Sequence, residues 1–381
     1  MGIVRTEEIK RTEIEEFQRM LLSCASVHRR KDEEGLKRGP RAGPGLVEDD
    51  EQDKVVCVTS GVSYLGRAIV NRLLLRGYSV RITVDNQEDL EKLREMETTG
   101  EMGTGRGRSN FWAVVAKLSD VGRLSDAFEG CRGVFHTCSF ADPAGLSGYS
   151  KSMAEIEVKA TENVMEACAR TPSVRSCVLT SSLLACVWRP DDPDNELSCV
   201  INPESWSNES VCLDKKLWYA LGKLRAEKAA WRIAEERGLK LTTICSALIT
   251  GPQVCGRNPT PTIAYLKGAP EMYMNGLLAT VDALRLADAH VSVYEAMNHQ
   301  MASGRYICFD RVIDRPDKAA GLASEMGFPM DKICGSSTSG ELTPRPRFEL
   351  SNWKLSALMS RTPRCCFEES NVISDVHRFC R

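Results

Sequence analysis

From Lys54 onward the chain alternates short apolar runs, rich in β-branched residues, with stretches of helical period, and this rhythm restricts the fold more than any other feature. The apolar runs over 55–59, 78–84, 111–116, 133–137, 177–181 and 241–249 read as strands. Between them, 67–76, 124–128, 153–169 and 217–236 read as helices. Strands separated by helices of this length return in the same direction, so the pattern predicts an α/β fold with a doubly wound parallel sheet covered on both faces. Beyond Gly251-Pro252 the regularity loosens, leaving a helix near 283–296 and a strand over 306–309. The expected organisation is an N-terminal helix and flexible linker (1–53), a dinucleotide-binding sheet domain (54–250), a smaller C-terminal substrate lobe (251–334), and a flexible segment with a tail (335–381).

Composition narrows the function by exclusion. A net charge of −2 over 381 residues, with no basic stripe, argues against nucleic acid as the main partner and leaves a small-molecule substrate. No apolar run reaches membrane-spanning length and the N-terminus lacks the apolar core of a signal peptide, so a cytoplasmic location is expected. The 16 cysteines are scattered without a C-x-x-C, and the five histidines form no cluster. Buried reduced thiols and no metal site follow. Near the N-terminus, Ile14, Phe17, Leu21, Leu22 and Ala25 form one apolar stripe at helical spacing. Met1-Gly2-Ile3-Val4-Arg5-Thr6 fits the loose N-myristoylation pattern at Gly2, with Arg29-Arg30-Lys31 as a basic second signal, so this helix offers a weak membrane or protein contact.

The first strand runs through Thr59-Ser60-Gly61-Val62-Ser63-Tyr64-Leu65-Gly66 into a helix. Such a turn presents backbone N–H groups and the positive end of a helix to a pyrophosphate. Gly61 and Gly66 suit a tight turn, and the hydroxyls of Ser60 and Ser63 can donate to phosphate. A second constellation lies further along. Tyr219 and Lys223, at i and i+4, share one helical face. A phenol ionises near pH ~10, and an adjacent ammonium favours the phenolate. Ser182, at the end of the apolar run 177–181, can hold a carbonyl oxygen while the tyrosine exchanges its proton. That apparatus suits hydride transfer at a carbonyl or alcohol carbon.

Taken together, residues 54–310 resemble the extended short-chain dehydrogenase/reductase superfamily, and more closely its plant cinnamoyl-CoA reductase-like and dihydroflavonol reductase-like group. The resemblance is carried by the turn above and by Leu73-Leu74-Leu75-Arg76-Gly77-Tyr78, Gly130-Cys131-Arg132-Gly133-Val134-Phe135-His136, Val178-Leu179-Thr180-Ser181-Ser182 and Glu204-Ser205-Trp206-Ser207. Trp218-Tyr219 to Lys223, Ala226-Glu227-Lys228, Leu286-Ala287-Asp288-Ala289-His290 and Ser303-Gly304-Arg305-Tyr306 continue it in order.

The resemblance implies a Rossmann-type sheet and an NAD(P)-dependent oxidoreductase of a phenylpropanoid-like aldehyde, ketone or thioester. Ser182 would orient the substrate, Tyr219 would carry the proton, and Lys223 would tune it while bonding the nicotinamide ribose. Thr59, Ser60, Gly61, Ser63, Tyr64, Leu65 and Gly66 would cradle the cofactor, with Arg81, Asp85, Lys117 and Leu118 toward its adenosine end. Serines stand at the first two glycine positions of the family turn. Asp85 takes the place of an arginine that grips a 2′-phosphate, and an acid there suits an NAD ribose, so NAD(H) is favoured over NADP(H). Lys117 replaces an aspartate near the adenine, and Lys159 an asparagine of the middle helix. Leu217, Ala220 and Leu221 occupy the variable places of the cinnamoyl-CoA reductase signature. The altered turn also motivates a second reading, a cofactor-impaired homologue acting as a regulatory or scaffold protein. A third is sterol oxidation or sugar epimerisation on the same frame.

Overall fold

The structure, a computed structural model, describes residues 54–103, 110–137, 149–190, 199–252, 254, 259–335 and 347–361. The N-terminal helix expected over 14–25, its linker and the Gly2 pattern lie outside the described residues. In chain order the first half comprises β1 (Val55–Thr59), α1 (Tyr64–Leu75), β2 (Ser79–Val84), α2 (Gln87–Thr98), β3 (Phe111–Val115), α3 (Val121–Phe128), β4 (Gly133–His136), α4 (Lys151–Arg170) and β5 (Ser176–Ser182). The short α5 (Leu184–Val187), β6 (Cys199–Ile201), α6 (Glu209–Asp214), α7 (Trp218–Arg237), β7 (Lys240–Ser246) and β8 (Leu248–Thr250) follow. The remainder holds α8 (Pro259–Tyr265), α9 (Ala269–Met274), β9 (Ala279–Asp282), α10 (Ala283–Asn298), β10 (Gly304–Cys308), β11 (Arg311–Val312), α11 (Pro316–Met326), α12 (Asp331–Cys334), β12 (Phe348–Leu350) and α13 (Trp353–Met359).

Seven strands form one sheet in the order β3-β2-β1-β4-β5-β7-β10, and every neighbouring pair runs parallel. Strand side chains alternate between faces, and β1 shows why both faces need cover. Val56 and Val58 enter one core with Ile69 and Leu73 of α1 and Leu286 and Tyr294 of α10. Cys57 enters the opposite core with Phe128 of α3, Val164 and Met165 of α4, and Ala230 of α7. The strand order reverses between β1 and β4, and the crevice above that point is where open α/β sheets bind their ligands.

The single strand expected over 241–249 is two strands in different sheets. β7 ends at Ser246 in the main sheet, and β8 joins β9 and β11 in a three-stranded sheet of the C-terminal lobe. The lobe is also less separate than its expected limits, because β10 and the buried α10 return to the main sheet. The polar α2 was not predicted, since Leu93 is its one buried residue and Asn86 caps it. Part of the presumed flexible tail packs down: β12 pairs with β6, Leu350 and Leu355 are buried, and the Lys354 ammonium donates to the Ser303 carbonyl at 2.7 Å. No described helix is long and apolar enough to cross a membrane.

Two buried histidines lock layers together. His136 contacts the Thr59 hydroxyl through Nδ1 at 2.9 Å and the Thr161 hydroxyl through Nε2 at 3.2 Å. His290 joins the Thr180 hydroxyl and the Leu286 carbonyl, each at 2.7 Å. Burial, and for His136 the nearby Lys223 charge, pushes the former down to about 3, while burial pushes the latter down to about 4. Both values lie below the unfolded value near ~6.5, so only the unfolded chain takes up these protons as the pH falls below it. Stability should therefore be intact above about pH 6.5 and decline below it, by about 1.4 kcal/mol per pH unit for each histidine. Urea unfolding followed from about pH 7.5 to pH 5 checks this, and a flat profile would contradict neutral burial.

Candidate active site

Helix α7 begins beside the end of β5 and presents Tyr219, Lys223 and Glu227 at i, i+4 and i+8, along one face. Glu227 is fully buried and accepts from Ser181 Oγ and Thr243 Oγ1, each at 2.6 Å, and from Arg305 Nε at 2.8 Å. Strand alternation then separates the two serines. Ser181 is spent on Glu227, whereas Ser182 borders a small cavity of about 20 Å³ together with Tyr219, Ser246 and Tyr265. The Ser182 hydroxyl oxygen accepts from the Leu184 N–H at 3.2 Å, which leaves its hydrogen to donate. Lys223 is 5% exposed, with its ammonium 5.7 Å from the centre of the Tyr219 ring. The structure thus brings Ser182, Tyr219 and Lys223 together at the carboxyl end of the sheet.

The turn after β1 keeps a glycine-like path without its first glycine. Ser60 holds φ +55°, in the left-handed region that a side chain disfavours. A Cβ on Gly66 would stand 2.3 Å from the Ser60 carbonyl oxygen, so the helix can approach the turn only with glycine there. Ser63 caps α1, its Oγ accepting from the Gly66 N–H at 3.1 Å. Tyr64 donates to the Pro252 carbonyl at 3.1 Å, and Leu65 faces the core. Thr59 is buried, its carbonyl taking the Thr137 hydroxyl at 2.7 Å and so tying β1 to the end of β4.

The adenosine-end residues divide. Asp85 is exposed just past β2. Its carboxyl sits above the usual range through partial desolvation and the Asp89 charge, against the opposing pull of Lys117, so Asp85 and Lys117 are neighbours. Leu118 packs in the core and presents its carbonyl to Asn163 Nδ2 at 2.9 Å. Arg81 corrects the sequence reading. It lies mid-strand on the α3 side, donating to the Ala127 and Glu129 carbonyls at 2.7 Å, over the Trp112 ring. The end of a helix leaves carbonyls unpaired and favours a cation, so this arginine is committed to the end of α3.

A larger cavity of about 740 Å³ is lined by Tyr149, Trp188, Trp218, Tyr219, Tyr265 and Phe328, among others. The Trp188 indole N–H is buried without a hydrogen-bond partner. Its ring edge packs where a Cβ on Gly268 would come within 2.4 Å. Burial raises the Tyr265 phenol, and the Leu248 backbone favours its ionised form without making a well-aligned hydrogen bond to it. Among the described residues no group of three His, Cys, Asp or Glu could hold a metal ion.

Sequence reasoning missed Glu157, Tyr149, Trp188 and Tyr265. For Glu157 a signal was present: a carboxylate among Ala154, Ala160, Thr161 and Val164 in the buried stripe of α4. Trp188 and Tyr265 sit in stretches without period, where nothing marks a cavity wall.

Residues 57–252 match the family described as the 3-beta hydroxysteroid dehydrogenase/isomerase family. Cinnamoyl-CoA reductase 1 of Petunia hybrida is 34% identical over 324 residues, covering 83% of this chain and 90% of that protein. The chain belongs to this family of extended short-chain dehydrogenase/reductases, in its cinnamoyl-CoA reductase-like group. That places it among the NAD(P)-dependent oxidoreductases. Tetraketide alpha-pyrone reductase 1 of Arabidopsis thaliana is 32% identical over 284 residues, 72% of this chain and 82% of its own length. Among solved structures, vestitone reductase from alfalfa shares the fold with a TM-score of 0.56 at 24% identity, over 82% of this chain and 94% of its own. Yeast methylglyoxal/isovaleraldehyde reductase Gre2, solved with NADPH, gives 0.60 at 20%, with the same coverage.

The residues of this reductase-family chain fit a dinucleotide. The left-handed Ser60 and the close approach at Gly66 preserve the cradle, and Ser63 both occupies the helix end and carries a hydroxyl that can turn to a phosphate. Replacing Ser63 with alanine should cost about 1 kcal/mol of stability through the lost cap. Thermal melting with and without NADH checks this, and the cofactor-induced rise in Tm should shrink if the hydroxyl also contacts phosphate.

Proposed function

We propose that this reductase-family protein moves hydride between NAD(P)H and a carbonyl carbon of a phenylpropanoid-like substrate, with Ser182, Tyr219 and Lys223 as its working residues. The observation that carries the reading is the small cavity shared by Ser182 and Tyr219, whose wall residues Tyr219 and Tyr265 also line the 740 Å³ cavity. A carbonyl oxygen seated between the Ser182 and Tyr219 hydroxyls would leave the rest of the substrate in the larger space. The nicotinamide, when bound, supplies the hydride. Ser182 donates to the carbonyl oxygen, Tyr219 gives that oxygen its proton, and the Lys223 charge stabilises the phenolate left behind.

The larger cavity supports an aromatic, conjugated substrate. Flat rings suit walls of Trp188, Trp218, Tyr149 and Phe328, and the unpartnered Trp188 N–H calls for an acceptor such as a phenol, methoxy or carbonyl oxygen. For the cofactor, exposed Asp85 with Asp89 beside it favours ribose hydroxyls over a 2′-phosphate, while Arg67 is paired with Glu101 and Arg81 is turned away. NAD(H) is therefore the proposed coenzyme.

A second reading, a cofactor-impaired homologue with a regulatory or scaffold role, is favoured by the Ser63 cap on the Gly66 N–H. Titration with NADH and NADPH, followed by fluorescence and thermal shift, separates the two. Binding of neither at millimolar concentration leaves the second reading standing, and tighter binding of NADPH refutes the role given to Asp85.

Tyr219→Phe should lower turnover by at least about 100-fold, with Tm and cofactor affinity nearly unchanged. Trp188→Phe keeps an aromatic face, though a smaller one, and removes one donor worth about 1 kcal/mol, so KM should rise by roughly fivefold or more with kcat little changed. Steady-state kinetics over a series of hydroxycinnamoyl aldehydes and thioesters checks both.

A further inference from the structure

Glu157 is a carboxylate buried within the apolar face of α4, 2% exposed. Burying a charge is costly unless it is paired, so the glutamate needs a reason to be there. Both of its oxygens are engaged. One lies 2.6 Å from the Lys223 ammonium, and the other accepts from the Tyr149 hydroxyl. Tyr149 in turn stands edge-on to Tyr219, ring centres 5.0 Å apart. The contact is possible because small residues let the helices close: a Cβ on Gly222 would meet Ala154 of α4 at 3.1 Å. One turn beyond Ala154, α4 delivers Glu157 to the residue after Gly222.

We propose that Glu157 is a positioning residue of the active site, whose carboxylate anchors the Lys223 ammonium and offsets the positive charge felt by Tyr219. The proposal rests on the reading of Tyr219 as the proton carrier. A lone ammonium beside a phenol favours the phenolate; an ammonium paired with a carboxylate acts as a dipole and favours it far less. Among the described residues, the other groups facing this centre carry no such charge. Tyr149 and Tyr265 are phenols, Ser182 is a hydroxyl, and His136, whose low value reflects burial and the Lys223 charge, is neutral at working pH. Glu157 therefore sets where on the pH scale the site exchanges its proton. It also takes one of three donors from the lysine before a ribose arrives.

The test uses the full chain and compares Glu157→Gln, which keeps shape and hydrogen bonding but not charge, with Glu157→Asp, which keeps charge, and Tyr219→Phe. Ultraviolet difference titration assigns the phenol lost in Tyr219→Phe, and kcat/KM is followed against pH. Glu157→Gln should move the Tyr219 ionisation, and the matching limb of the pH profile, down by about one pH unit or more. Glu157→Asp should keep both near the wild-type position. A Glu157→Gln profile that coincides with wild type while Tyr219→Phe is inactive overturns the proposal. Wild-type turnover in Tyr219→Phe would instead overturn the reading beneath it. Should Glu157→Gln fail to fold, wild type against Tyr219→Phe still decides. A Tyr219 phenol ionising near neutral pH means the lysine charge is not offset, and the proposal falls; ionisation near the ordinary ~10 upholds it.

Discussion

The buried pair of Glu227 and Arg305 fixes the element on which the site is built. Glu227 anchors α7 to β5 through Ser181, to β7 through Thr243 and to β10 through Arg305. Arg305 carries the tie further, donating to the Pro203 carbonyl at 2.9 Å and to that of Ser205, and stacking 3.6 Å from the centre of Trp206. Ser207 Oγ then accepts from the backbone N–H of Trp188 at 2.9 Å, so the cavity wall hangs from the same network. Breaking such a pair leaves an uncompensated buried charge, at a cost of about 3–5 kcal/mol. The roll of α7, and with it the aim of Lys223 one turn earlier and Tyr219 two turns earlier, is set by a contact remote from the cavity.

The two ends of the site meet their demands differently. At the substrate end the polar groups are preorganised: Ser182 has its oxygen engaged by a backbone N–H, and Lys223 is held by Glu157. At the dinucleotide end, hydroxyls stand in for glycines. Ser60 adopts the left-handed backbone anyway, a strain that the surrounding turn, with Ser63 N–H bonded to its carbonyl at 2.9 Å, sustains. Ser63 satisfies the helix N–H that a phosphate oxygen would otherwise accept from. On the proposed reading the Ser63 hydroxyl, whose hydrogen is still free to donate, would meet a phosphate oxygen in place of the N–H it covers.

The sheet was legible because periodicity reports burial. Val56, Cys57 and Val58 are apolar without alternation since both faces of β1 are covered, and that pattern belongs to a parallel strand. Tyr219 and Lys223 were legible because i, i+4 spacing on a helix converts directly into proximity. Residues that act by meeting across the fold were not. Glu157 and Lys223 are 66 positions apart in the sequence, and the packing of α4 on α7, with its close Ala154–Gly222 approach, brings them together. Arg81 misled for the same reason: alternation along β2 says that it faces a helix layer, but not that the carbonyls at the end of α3 are waiting there. The break at Ser246 was invisible because 241–249 is a strand-prone stretch with no glycine, proline or charge to mark it, whichever sheet its two halves join.

Two buried carboxylates on cations lie within this one layer, and their surroundings give them different capacities. Glu227 is saturated: two hydroxyls and two guanidinium nitrogens occupy its oxygens, with Cys245 Sγ a further 3.7 Å from one of them. A carboxylate so filled can only be broken, not modulated, which suits a structural anchor. Glu157 receives one ammonium and one phenol, and both donors belong to residues bordering the reaction space or its tyrosine. A carboxylate offers roughly four lone-pair positions, so this one retains capacity to answer a change in either partner. The saturated pair mounts the helix on the sheet, while the pair with room to spare stands behind Tyr149 and Tyr219, the two tyrosines that line the larger cavity.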